Sequence, residues 1–144
     1  CCAASGGNLP STLTEGATVS IKSTATKKFC SSGADGVSCS SPTVGKEQVF
    51  KVKVDNGEVG FQDVNGKWCT PTPAGLKCNA THVGKSEMFN CYGIAHTQTG
   101  GLQSSDSRKW CVIPGQETAI RCGEDTMRNV FEFASSPSLT SILL

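Results

Sequence analysis

The sequence predicts an all-β fold in which three copies of one four-stranded unit, about 12 strands in all, share a single core. Three observations predict it. A Lys-aromatic-Cys triplet recurs as Lys28-Phe29-Cys30, Lys67-Trp68-Cys69 and Lys109-Trp110-Cys111. An aliphatic residue stands two positions before a second cysteine, as Val37 and Cys39, Leu76 and Cys78, and Ile120 and Cys122. A phenylalanine then follows in each copy, as Phe50, Phe89 and Phe131.

Each unit opens with an alternating strand, marked by Val19 and Ile21, by Val59 and Phe61, and by Leu102. A turn rich in Gly, Asn, Asp and Ser leads to the aromatic-Cys strand. A second turn, bearing Gly or Pro, leads to the third strand with its cysteine. The fourth strand reads VFKVKV, MFNCY or VFEFA. No segment sustains a helical apolar period, and Gly and Pro interrupt the chain too often for helices. One such unit cannot bury its own apolar face, so the three must share one core, and the expected fold is a single β-trefoil. The expected layout is an N-terminal arm over residues 1–16, a trefoil over 17–134 with repeats at about 17–56, 57–97 and 98–134, and an apolar tail over 135–144.

Side chains alternate faces along a strand. Cys39 therefore shares a face with Val37, and the valine marks that face as inward. Pairing Cys30 with Cys39 points both inward and leaves Phe29 on the outer face. The same logic pairs Cys69 with Cys78 and Cys111 with Cys122, one disulfide per repeat, each worth on the order of 2–3 kcal/mol through the unfolded chain. Cys1, Cys2 and Cys91 remain. Adjacent Cys1 and Cys2 would strain the backbone if bonded to each other. An odd total leaves at least one thiol free or linked to another chain. Cys91 occupies the slot of Val52 and Phe133, which makes it a buried free thiol or the end of a bridge from the arm.

The chain has 13 basic and 12 acidic residues, a net charge of +1, and so no electrostatic footprint for nucleic acid or anionic membranes. Nine cysteines within 144 residues point to an oxidising compartment. A zinc site would want Cys-x-x-Cys or His-bearing pairs; the only histidines are His82 and His96. No metal or cofactor is expected. Asn79-Ala80-Thr81 is a glycosylation sequon and fits a secretory route. The chain opens at Cys1-Cys2, as a processed secreted chain would, and its apolar tail is too short to span a bilayer.

The repeat, a strand followed by Gly-Lys-aromatic, a small polar turn, Val-x-small and then Glu-x-Phe, resembles that of the fascin-like β-trefoils from about Val19 to Ala134. In that group leucine usually follows the aromatic and alanine usually sits in the third strand; here both are cysteine in every copy. The group's actin bundling is cytosolic and uses tandem trefoils, so the disulfides separate this chain from it. A second resemblance is to the ricin-B-type lectins, whose fourth strand carries Gln-x-Trp. The corresponding triplets are Gln48-Val49-Phe50, Glu87-Met88-Phe89 and Asn129-Val130-Phe131. No ligand residue transfers, because tryptophan is absent and the polar residue varies.

No nucleophile elbow or paired-carboxylate motif is present, and a Cys91–His96 pairing has no support beyond proximity in sequence, so no enzyme is expected. The first functional expectation is a lectin-like module that binds carbohydrate or a glycoprotein ligand. Trp68 with Asp63 and Asn65, and Trp110 with Asp106, are its candidate binding residues, since an outward ring can stack on a sugar. The opposing expectation is that both indoles pack within the fold. The alternative function is a structural subunit of an extracellular assembly or filament, self-associating through the terminal arms and through Cys1, Cys2 or Cys91. A third, a protease inhibitor, would use Thr70-Pro71-Thr72-Pro73 as a rigid reactive turn.

Overall fold

In the computed structural model, residues 9–94 and 97–136 are described, and they form 12 strands with two short 3-10 turns. The first repeat holds β1 (Thr18–Ser23), β2 (Phe29–Ser31), β3 (Ser38–Ser41) and β4 (Val49–Asp55). The second holds β5 (Glu58–Gln62), β6 (Trp68–Thr72), β7 (Gly75–Ala80) and β8 (Phe89–Gly93). The third holds β9 (Thr99–Ser104), β10 (Trp110–Val112), β11 (Arg121–Glu124) and β12 (Phe131–Ser135). The 3-10 turns, Lys46–Gln48 and Lys85–Glu87, lead into β4 and β8.

First and fourth strands close the barrel. β1 pairs antiparallel with both β12 and β4, β5 with both β4 and β8, and β9 with both β8 and β12. The second and third strands of each repeat form a hairpin beneath, and Cys30↔Cys39, Cys69↔Cys78 and Cys111↔Cys122 stand opposite one another in it. All three pairs are disulfide-bonded. The aliphatic residues two before the third-strand cysteines close the base. Val37 N–H donates to Leu76 O at 2.7 Å, Leu76 N–H to Ile120 O at 3.0 Å, and Ile120 N–H to Val37 O at 3.0 Å. Three residues from three repeats thereby complete a cyclic set of backbone hydrogen bonds.

The core follows from strand alternation. Val19, Ile21, Phe50, Val52, Val59, Phe61, Phe89, Leu102, Phe131 and Phe133 are all buried. Phe61 is central: its ring lies 5.5 Å from Phe89, 6.1 Å from Phe133 and 6.5 Å from Phe50. Aromatic contacts at such separations add to area burial.

Part of the segment that the sequence sets apart as an arm belongs to this core. Leu13 is 1% exposed and joins the main apolar cluster, with Leu9 packed against it. Thr12 ties the segment down by donating through N–H and Oγ1 to Gln98 Oε1, both at 3.1 Å, and through Oγ1 to Phe133 O at 2.8 Å. Cys1, Cys2 and the apolar tail beyond Ser136 lie outside the described residues.

Candidate functional site

A register shift falls between the aromatic and the cysteine in every repeat, at Phe29/Cys30, Trp68/Cys69 and Trp110/Cys111. Such a bulge re-aims a side chain and sharpens local twist. The cysteines go into the core, while Phe29, Trp68 and Trp110 are half-buried on the outer face.

The two tryptophans differ in their surroundings. Trp68 lies over Gly60, its Cζ3 3.6 Å from where a Cβ on that glycine would stand, with Met88 Sδ 3.1 Å from the same point. Met88 is buried, so the side chain that shares Gly60 with this indole lies inside the fold. Trp110 lies over Gly101 in the same way, but its neighbours face solvent: Met127 is exposed over the glycine, and Tyr92 is 38% exposed. The Tyr92 and Trp110 rings meet edge to face, 4.9 Å apart and inclined at 62°.

Strand alternation supplies the remainder of this surface. Cys91 points into the core, so Asn90, Tyr92 and Ile94 point outward. Asn90 is paired with Gln103 and Tyr92 with Gly101 across β8 and β9, and Gln103 is paired with Trp110 across β9 and β10. Asn90 Nδ2 donates to Gln103 Oε1 at 3.1 Å, and Gln103 Nε2 donates to Arg108 O at 2.9 Å. Asn90 Oδ1 has no partner among the described residues. An aromatic pair thus stands beside an oriented amide relay, with apolar Ile94 and Met127 at its border. No recurring motif marks Tyr92, Asn90 or Gln103 in the sequence; outward alternation from Cys91 is the one signal for them.

Asp63, Asn65 and Trp68 do not converge on one another as a ligand set. Asp63 is buried, and its Oδ1 accepts N–H from Asn65 and from Lys67, each at 3.0 Å. This carboxylate builds the β5–β6 turn, and Ser23 and Ser104 hold the same place in the sister repeats by accepting from Thr26 N–H and Ser107 N–H. Asn65 is exposed at the turn's tip. Asp106 is exposed in the β9–β10 turn, 3.4 Å from Ser86 Oγ.

Asp63 and Asn65 instead face a polar cleft of about 310 Å³ at the junction of the first two repeats. Ser32, Gly33, Ala34 and Glu47 form one wall, and Lys77 and Asn79 form the other. Ser32 N–H donates to Glu47 O at 3.1 Å and holds the first wall together. Trp68 does not line this cleft. Asn79, the sequon asparagine, is exposed beside Lys77, both pointing outward from β7 while Cys78 points in.

Cys91 is 0% exposed and has no disulfide partner among the described residues. Burial pushes its thiol up to about 12, far from a thiolate nucleophile; His96 is outside the described residues. Thr70, Pro71 and Thr72 belong to β6, where Pro71 is buried and Thr72 Oγ1 donates to Gly75 O at 2.7 Å. They are not a free reactive turn. The polar residue of the fourth-strand triplet is structural as well. Gln48 Oε1 accepts Gly45 N–H at 2.6 Å, Glu87 Oε1 accepts Gly84 N–H at 2.9 Å, and Asn129 Oδ1 accepts Ile113 N–H at 2.9 Å. No group of metal-ligating side chains occurs among the described residues, and no helix there is long and apolar enough to cross a membrane.

The closed barrel, the pseudo-threefold hairpins and the cyclic base define a β-trefoil. The chain belongs to the fascin-domain family, whose model matches residues 12–91. No curated protein sequence matches it. Similar solved structures include the designed threefold-symmetric protein ThreeFoil, at 10% identity and a TM-score of 0.69, covering 83% of this chain and 99% of that one. SeviL, solved bound to the asialo-GM1 saccharide, is 4% identical with a TM-score of 0.69 and covers 85% and 99%. The SDF2-like protein of Arabidopsis thaliana is 16% identical with a TM-score of 0.66 and covers 85% and 94%. At these identities the likeness is one of fold.

Proposed function

We propose that this protein is a secreted, non-enzymatic binding module that recognises carbohydrate on the outer face of β8, β9 and β10. The observation that carries the proposal is the solvent-facing Tyr92–Trp110 pair beside the Asn90–Gln103 relay. Aromatic faces stack on the apolar side of a sugar ring, and amides engage its hydroxyls, the combination of apolar body and placed polar groups that small-ligand sites use. SeviL, a trefoil of the same architecture, was solved with a saccharide, which supports this use of the fold. Three disulfides fit an oxidising compartment. Trp68, which shares Gly60 with the buried Met88, is assigned to packing.

A glycan array compares the unaltered chain with Tyr92→Ala, Trp110→Ala and Trp68→Ala. Tyr92→Ala and Trp110→Ala should each weaken binding by about two- to tenfold, in line with about 0.5–1.5 kcal/mol per aromatic contact. Trp68→Ala should retain the specificity at equal fold content. Retention of binding by Tyr92→Ala, an exposed position whose loss leaves the core intact, would overturn the assignment. Intact mass without and with reductant separates the assembly alternative. A monomer is expected, whereas a reducible ladder abolished by Cys1→Ser and Cys2→Ser would mark a cross-linked subunit.

A further inference from the structure

The polar cleft between the first two repeats is not part of the aromatic face, and it coincides with the sequon. Asn79 lines it, and its carboxamide is exposed at the rim. The side chains of Glu47, Lys77, Asn65 and Ser32, which also line it, have no hydrogen-bond or ion-pair partner among the described residues. Together they offer a carboxylate acceptor, an ammonium donor, an amide and a hydroxyl, the groups that engage sugar hydroxyls and an acetamido substituent. A volume of about 310 Å³ sits at the small end of ligand sites (roughly 300–1,000 Å³), enough for one ring and not for a chain.

The sister junction shows what makes this one open. There Gly123 stands where Asn79 stands here, and Pro73 stands where Ala34 does. Pro73 lies over Gly123 so closely that a Cβ added to the glycine would be 3.1 Å from its ring. The cleft at that junction is about 230 Å³ and is lined by Pro73, Pro114 and Val112 beside Arg121 and Glu124. The third copy carries Ser40 at the same place, so one junction of the three combines a glycan acceptor with a polar recess.

We propose that Asn79 carries an N-linked glycan whose innermost N-acetylhexosamine folds back into this cleft, held by Glu47, Lys77 and Asn65. The chain is then a ligand for itself at this junction, and the glycan masks a recess otherwise open to solvent. Attachment at an adjacent atom gives the sugar a high effective concentration, so a weak cleft suffices. The proposal rests on the secretory route stated above, since the acceptor is modified only there.

The test uses the full chain, expressed behind a secretion leader in a eukaryotic host. Intact mass should show one glycan that is absent from Thr81→Ala. A peptide N-glycosidase should release it at least about tenfold more slowly from native than from denatured protein. In Glu47→Ala/Lys77→Ala, two exposed positions, native release should accelerate by a similar factor while thermal unfolding of the sugar-free chain is unchanged. An unmodified Asn79 would overturn the proposal, as would equal native and denatured rates or a double variant that releases no faster. The Tyr92→Ala array result does not involve Asn79, so failure of the cleft and failure of the aromatic face are read separately.

Discussion

Cys91 sits where the sister repeats place Val52 and Phe133, and the space around it is set by a glycine. A Cβ at Gly100 would stand 2.8 Å from Cys91 Sγ and 3.0 Å from Tyr92 O. Gly100→Ala should therefore cost about 1–3 kcal/mol, as overpacking does. Adding Cys91→Ala should recover part of that cost, a coupling that a double-mutant cycle from urea denaturation reads directly. The thiol also makes stability pH-dependent. Burial raises it from 9.0 to about 12, so the native chain keeps a proton that the unfolded chain releases first. This contribution is intact below pH 9, falls as pH climbs toward 12, and has a limiting slope of about 1.4 kcal/mol per pH unit. Cys91→Val should show a shallower alkaline loss of urea midpoint than the unaltered chain. Identical alkaline profiles would contradict a buried, protonated thiol.

At the scale of elements, each repeat is pinned at two places. The hairpin disulfide joins residues nine apart in the first two repeats and 11 apart in the third. Replacing Cys69 and Cys78 by Ala should cost at least about 2–3 kcal/mol, the loop-closure contribution, visible as a lower midpoint in denaturant. The second pin is the polar residue before the fourth strand. Glu87 accepts from Gly84 N–H at 2.9 Å and from Thr70 Oγ1 at 2.8 Å. Glu87→Ala should cost about 1–3 kcal/mol, because both donors lose a partner. Glu87→Gln should cost less than half of that, since Gln48 already does this work in the first repeat, donating to Ser31 Oγ at 2.7 Å. Thermal unfolding of the two variants side by side checks the difference. The triplet that resembles a lectin signature is thus a clamp, and its variation from Gln to Glu to Asn follows from the one constant need, a side-chain oxygen for a backbone N–H.

The whole molecule is held by features that no repeat contains alone. Val37, Leu76 and Ile120 each take one corner of the base, and Phe61 gathers Phe50, Phe89 and Phe133 from all three repeats. Leu76→Ala should cost about 2–5 kcal/mol. The loss should appear as one cooperative transition with an unchanged denaturant slope, because the damaged corner is shared by all repeats. Two separate transitions would mean that a repeat unfolds by itself, against a common core.

By itself the sequence determined the threefold repeat, the strand order, the inward face of each hairpin and the three cysteine pairings. Those depend on alternation and spacing along one hairpin, which a chain displays directly. Tertiary structure decided the surroundings. Trp68 and Trp110 carry the same local signature, yet the first shares its glycine with the buried Met88 and the second meets the exposed Tyr92. Asp63 reads as a ligand next to Trp68 until the turn draws in Asn65 N–H and Lys67 N–H. Leu13 reads as part of an arm until Thr12 ties it to Gln98 and Phe133. In each case alternation says on which side of its strand a residue lies, whereas its neighbours there come from another repeat. Barrel closure and strand twist bring those neighbours together, and both are properties of the assembled sheet.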